Sequence, residues 1–218
     1  ASVQDMADFV DQAFQLAFRY RNPVMILSDG VIGQMMEKVT LPPMKPRRTE
    51  EEIWEECPWA TNGHNLSRRK PNVLSSLEME AIEMERRNQA LQEKYRTIVQ
   101  KEQRSATYLC DDAEYLFVAY GSVARCAEES VNILREKGIR AGLFRPITLW
   151  PYPADALCQF IPQVHLLLAC EMNAGQMVND IRLAINCQRP VFHYGRMGGV
   201  VPGPQEMADA MVQLINNP

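Results

Sequence analysis

Apolar positions recur at helical spacing through the first twenty residues. Met6, Phe9, Val10, Ala13, Phe14 and Ala17 follow Ser2, an N-cap with Asp5 three positions on, and predict an amphipathic helix to about Tyr20. Asn22-Pro23 stops it. The run Val24-Met25-Ile26-Leu27 reads as a compact apolar strand, closed by the turn dipeptide Asp29-Gly30. One helix and one strand cannot cover both faces of a sheet, so residues 1–40 read as the tail of a larger domain. Between 41 and 72 the period disappears, and Pro42, Pro43, Pro46, Pro58 and Pro71 flank the basic pair Arg47-Arg48 and the acidic run Glu50-Glu51-Glu52. Irregular stretches of about 30 residues are unusual inside one domain, so residues 41–110 are expected to connect two domains. Within them, Trp54, Trp59 and the run Cys57-Pro58-Trp59-Ala60-Thr61-Asn62-Gly63 are too apolar for a free linker and should strap it to a neighbouring surface. His64 with Arg68, Arg69 and Lys70 reads as a solvated basic loop or as a seat for an anionic group such as a nucleotide phosphate. Residues 77–104 lack Gly and Pro and predict one long helix. Its narrow stripe of Met84, Leu91, Tyr95 and Ile98 suits a helix lying across a surface or forming a seam with a partner.

After Asp111-Asp112 the pattern changes. Strand-like runs at 115–120, 139–144, 166–170 and 191–194 alternate with helical stretches at about 123–137, 154–161, 175–185 and 205–216. That alternation predicts an α/β fold over 111–218, a mainly parallel sheet flanked by helices. Val123, Ala127, Val131 and Leu134 line one helix face, Gly138 marks its end, and Gly203-Pro204 opens the last helix. Pro146, Pro151 and Pro153 forbid ladder pairing and helix, which leaves Ile147, Leu149 and Trp150 on a rigid extended connection. Such apolar side chains are either covered by the rest of the fold or waiting for another domain.

At 218 residues and 46% apolar content the chain can bury a substantial core. A net charge of -4 with mixed signs gives no footprint for nucleic acid. The longest apolar run, 166–170, is far short of the roughly 20 residues a membrane span needs, and no cationic apolar leader opens the sequence. A cytoplasmic location is the expectation. Cys57, Cys110, Cys126, Cys158, Cys170 and Cys187 stand singly, without the short motifs that gather thiolates around a metal or cluster, and read as reduced, small buried hydrophobes.

In a parallel sheet the ligand-competent edge lies at the carboxyl ends of the strands. Four loops reach it: Tyr120-Gly121-Ser122, Arg145-Pro146, Glu171-Met172-Asn173-Ala174-Gly175-Gln176 and Gly195-Arg196-Met197-Gly198-Gly199. Gly121 and Ser122 either present amides to a phosphate or simply cap a helix. Arg145, Trp150, Glu171, Asn173, Gln176 and Arg196 form the candidate site, with no general base paired to a nucleophile or a metal evident among them. They are expected to join this domain to another domain or subunit. His165 and His193 lie on apolar strands and read as core or strand-end residues.

Taken together, Tyr120-Gly121-Ser122-Val123-Ala124-Arg125, the proline-rich run from Gly142 through Pro153, and Glu171-Met172-Asn173-Ala174-Gly175-Gln176 carry a resemblance. Over nearly its whole length the chain resembles the alpha subunit of 2-oxoacid:ferredoxin oxidoreductases, nearest the 2-ketoisovalerate type. The resemblance implies that 111–218 is a transketolase C-terminal-like domain and that 1–40 is the incomplete end of the domain facing the thiamine pyrimidine. It implies the rear of that subunit, with the cofactor-activating carboxylate upstream of Ala1. The whole complex would use thiamine diphosphate with Mg, iron–sulfur clusters and coenzyme A, none of them bound by this chain alone. The partners implied are a thiamine-binding beta subunit, a gamma subunit and a ferredoxin-like cluster subunit, with a homo-oligomer also open, and neither nucleic acid nor membrane. On this reading the chain serves mainly assembly and is inactive by itself. The alternative is a noncatalytic α/β interaction or anion-binding module.

Overall fold

Four apolar runs of five or six residues become neighbours in one sheet. The computed structural model describes residues 1–61 and 71–217; His64, Arg68, Arg69 and Lys70 lie outside them. The strands are β1 (Ser105–Tyr108), β2 (Tyr115–Ala119), β3 (Ala141–Pro146), β4 (Leu166–Glu171) and β5 (Val191–Gly195), in the spatial order β1-β3-β2-β4-β5. The pairs β2·β3, β2·β4 and β4·β5 are parallel, and β1 runs antiparallel to β3.

Helices cover both faces, which is why β2 and β4 read as continuous apolar runs rather than as alternating ones. On one face Phe117, Leu143 and Leu168 meet α5 (Gly121–Glu136) through Val123, Ala127, Val131 and Leu134, and α8 (Pro204–Asn216) through Met207 and Met211. On the other, Leu116, Val118, Phe144 and Leu167 meet α6 (Ala154–Cys158) through Leu157 and α7 (Met177–Ala184) through Val178 and Ile181.

Ahead of the sheet lie α1 (Val3–Tyr20), α2 (Gly30–Gln34), α3 (Glu50–Glu56) and α4 (Ala81–Lys101). The capping box of Ser2 and Asp5 opens α1 as the sequence predicts, and Arg21 closes it in the left-handed region. The run Val24-Met25-Ile26-Leu27 is not a strand, contrary to expectation. None of the five strands pairs with it, and a strand needs a ladder partner to persist.

The helix expected over 77–104 is shorter at both ends. The Leu77 amide is drawn to the Ser75 hydroxyl, and the Arg104 carbonyl accepts from the amides of Ile147 and Thr148, which turns the chain into β1. β1 itself, Ser-Ala-Thr-Tyr, carries no apolar run to announce it. Pro146 is the last residue of β3, opposite Ser105, where a missing donor removes no more than one ladder bond.

Residues 1–40 and 95–218 form one compact unit, and residues 41–94 form another. In the second unit the Thr49 and Glu52 capping box opens α3, Cys57 is buried, and the Asn72 side chain donates to the carbonyls of Pro58 and Ala60. Cys158 and Cys187 are exposed, so not every thiol is the buried hydrophobe expected.

Candidate functional site

The strand order places the switch point between β2 and β4, where the turn into α5 and the loop into α7 meet. Glu171 ends β4 there and is 1% exposed. Its carboxylate accepts from the amides of Gln176 at 3.2 Å, Met177 at 2.8 Å and Val178 at 3.0 Å, and from Asn173 Nδ2 at 3.0 Å. These amides open α7 and have no partners within the helix, and a carboxylate also suits the positive end of the helix dipole. The Asn173 side-chain oxygen in turn accepts from the Gly175 amide at 2.7 Å. His193 Nε2 lies 3.9 Å from Glu171 Oε1 and has no hydrogen-bond partner among the described residues. His165 is exposed at a strand end, its ring 5.9 Å from that of Tyr115.

The second helix at the switch point is closed in the same manner by a residue from far away in the sequence. Asp29 accepts from the Ile32 amide at 2.9 Å with one oxygen and from the Ser122 amide at 2.8 Å with the other. One carboxylate therefore caps both α2 and α5. Gly121 has φ +62, and a Cβ there would meet Asp29 Oδ2 at 2.7 Å, so glycine is what lets the carboxylate reach α5. Burial pushes the Asp29 carboxyl up, but the amides of Ile32 and Ser122 more than offset this and hold it below the ordinary range. Of the two readings of Gly121-Ser122, capping is the one realised, by a side chain 93 residues upstream.

Arg145 donates to Asp5 at 2.8 Å and so ties α1 to the end of β3. Arg125 pairs with Glu37, and Glu102 accepts from Tyr20 at 2.6 Å and from Arg19 at 3.2 Å. Burial alone would raise the Asp5 carboxyl; the Arg145 guanidinium and the amino group of Ala1 instead bring it down from 3.8 to about 2. A depressed carboxylate stabilises the folded state above its ordinary pKa and ceases to do so as the pH falls toward the folded value. Asp5→Asn should therefore lower Tm by a constant amount above pH 5, with the gap from wild type closing between pH 4 and pH 2. Because solvent screens the pair, the gap should not exceed about 1 kcal/mol. Thermal melts across that range check it, and a gap that persists at pH 2 would refute the linkage.

Arg145, Trp150, Glu171 and Asn173 line one cavity of about 700 Å³. Facing them are Met6, Phe9 and Leu16 of α1 and residues 22–29. Trp150 is 59% exposed, its ring edge-on to Tyr95 at 5.8 Å. Gln176 and Arg196 stand apart from the cavity; Gln176 contributes its amide to Glu171, while Arg196 reaches Glu206 at 3.4 Å. Asp5, Asp29 and Glu102 were not among the sequence candidates. An acid directly before Gly30-Val31-Ile32 is a helix-cap signal that the turn reading of Asp29-Gly30 overlooked.

Glu171 spends its oxygens on α7, and Asp29 spends its own on α2 and α5. The amides at α5 and α7 that could cradle a phosphate already hold carboxylates. The described residues hold no grouping of three or more His, Cys, Asp or Glu for a metal or cluster. Among them no helix is long and apolar enough to cross a membrane.

A five-stranded, mainly parallel sheet with helices on both faces and its switch-point helices capped from within is the transketolase C-terminal-like α/β class expected. Residues 113–207 match the family model for pyruvate:ferredoxin oxidoreductase core domain II, and residues 1–104 match that for the thiamine diphosphate-binding domain of pyruvate flavodoxin/ferredoxin oxidoreductases. The chain is 42% identical over 202 residues to the ketoisovalerate oxidoreductase subunit VorB of Methanothermobacter thermautotrophicus, covering 91% of this chain and 54% of that one. It is 32% identical over 200 residues to the 2-oxoglutarate synthase subunit KorA of Archaeoglobus fulgidus, covering 90% and 56%. The 2-oxoglutarate:ferredoxin oxidoreductase of Magnetococcus marinus shares the fold, with TM-score 0.53 and 16% identity over 63% of this chain and 24% of that one. The chain belongs to the 2-oxoacid:ferredoxin oxidoreductase family. It spans about half the length of the curated relatives it matches.

Proposed function

We propose that this chain is the C-terminal part of the alpha subunit of a thiamine diphosphate-dependent 2-oxoacid:ferredoxin oxidoreductase, and that its work there is assembly. The complex would oxidatively decarboxylate a 2-oxoacid, 2-ketoisovalerate first among them, to the acyl-CoA while reducing ferredoxin. The identity to ketoisovalerate oxidoreductase subunits supports this choice of substrate. Thiamine diphosphate with Mg, the iron–sulfur clusters and coenzyme A would be held by the beta, gamma and ferredoxin-like partners or by regions of the alpha subunit other than these residues.

The observation that carries the assembly role is the closure of both switch-point helices by the chain's own carboxylates, beside a Trp150 that stays in water. A cofactor-binding edge keeps such amides open. The same closure disfavours the anion-binding module, since an incoming anion would have to displace Asp29.

The purified chain is expected to reduce neither ferredoxin nor a dye with 2-ketoisovalerate and coenzyme A, and to support turnover once the rest of the alpha subunit and its partner subunits are added. Truncating a tryptophan at an interface costs about 2 kcal/mol, so Trp150→Ala should weaken association roughly thirtyfold. Excess partner should restore the activity. Turnover by the chain alone, or a Trp150→Ala complex of normal affinity that has lost turnover, would overturn the assignment.

A further inference from the structure

We propose that the outer edge of β5 is a docking site for an acidic, extended segment of a partner polypeptide, which adds to the sheet as a further strand beside Arg182 and Arg189. The inference rests on the sheet and its charges, and it stands or falls independently of the reaction proposed above.

β5 ends the strand order β1-β3-β2-β4-β5, so one side of it has no strand. The Leu167 amide donates to the Pro190 carbonyl and the Arg196 amide to the Glu171 carbonyl, which turns the even-numbered positions toward β4. Main-chain groups alternate in direction along a strand, so those of Val191, His193 and Gly195 face outward. Among the described residues, the one partner of that outer row is the Arg182 side chain, which donates to the Val191 carbonyl at 2.9 Å. An open row of this kind is what a further strand pairs with, main-chain bonds giving affinity and alternate side chains giving register. No residue of β5 lines the cavity that residues 1–40 face, and β5 falls wholly within 113–207, the matched core domain. The edge therefore belongs to the core domain itself and not to the segment that precedes it.

Charge selects the occupant. Arg182 is exposed on α7 and spends only part of its donor set on Val191. Arg189, two residues before the strand, is held by the carbonyls of Val164, Gln188 and Pro162. Arg135, Arg140 and Arg196 pair with Asp112, Glu114 and Glu206, whereas neither Arg182 nor Arg189 meets a carboxylate among the described residues. A guanidinium takes a carboxylate through two parallel bonds, so these two arginines offer acidic side chains a seat at the start of the edge. A second copy of the chain would bring Val191-Phe192-His193-Tyr194-Gly195, which carries no carboxylate, and would leave both arginines unanswered. Leu183, next to Arg182, and Met197, two residues past the strand, are 80% and 62% exposed and supply apolar contact for the alternate side chains of the added strand.

The test is anisotropy and hydrogen–deuterium exchange on the full 218-residue chain with a short labelled peptide alternating glutamate and valine, and with its counterpart carrying lysine for glutamate. The glutamate peptide should bind at least tenfold more tightly, lose affinity as salt rises, and slow exchange across residues 191–195 at least fivefold. Arg182→Glu should turn the preference toward the lysine peptide, while Arg182→Lys keeps it. Circular dichroism melts of both variants separate lost docking from lost folding, and if Arg182→Glu does not fold, Arg182→Lys and the salt dependence decide. Binding of neither peptide would leave Arg182 a guard that merely closes the edge. Equal binding of both would remove the charge selection, and protection outside 191–195 would move the site. Protection that grows with the chain's own concentration, without peptide, would make the occupant a second copy. Each of these results overturns the proposal.

Discussion

Replacing Glu171 by alanine should lower Tm by about 10 °C or more. The substitution removes the acceptor for three α7 amides and for Asn173 while leaving the site closed to water. A buried donor without a partner costs about 1–3 kcal/mol, and α7 opens with several, so a loss of about 3–5 kcal/mol is expected after relaxation. For a chain of this size each kcal/mol moves Tm by about 2–4 °C. Glu171→Gln keeps one acceptor oxygen and should cost about half as much. The graded pair distinguishes helix capping from charge, because a purely electrostatic role would make the two variants alike. Circular dichroism melts decide it, and an alanine variant within about 2 °C of wild type would remove Glu171 from its place as the anchor of this edge.

Gly142→Val should be worse still. Gly142 sits inside β3, and a Cβ there would meet the Leu109 carbonyl oxygen at 2.7 Å, the Ala113 Cβ at 2.9 Å and the Cys110 Cα at 3.2 Å. Main-chain atoms cannot swing aside as the tip of a flexible side chain can. The loop after β1 would have to lift off the sheet, exposing Cys110, whose thiol burial now holds up at about 11. Overpacking of this kind costs about 3 kcal/mol or more. Urea denaturation should show a midpoint shifted well below wild type, and DTNB should react faster with the variant. Normal stability with a protected Cys110 would refute the close approach.

Much of the sheet was legible because the rule that builds it leaves a local trace. Strands covered on both faces are apolar nearly throughout, so β2, β3 and β4, and the shorter apolar run of β5, announce themselves within a few residues of their true ends. β1 is a short polar edge strand that pairs on one side only, and edge strands need no apolar run. The stretch 24–27 shows the reverse failure: the composition of a strand is there, and the ladder is not. Of the candidate site, the loops that would reach the carboxyl edge could be placed from the strand pattern alone. What could not be seen was which acid closes which helix. Asp29 and Ser122 are 93 positions apart, Asp5 and Arg145 are 140 apart, and no periodicity relates them. Glu171 was expected to look outward; the amides of α7 turned it inward.

The double cap at Asp29 also sets a timetable for biosynthesis. Its second partner, Ser122, leaves the ribosome long after Asp29, and Arg145, which secures Asp5, later again. At about 5–20 residues per second, Asp29 and Asp5 wait roughly five to thirty seconds for these partners. Carboxylate clasps that close only when the sheet exists make residues 1–40 settle onto it late, after strands that follow them in the sequence are in place.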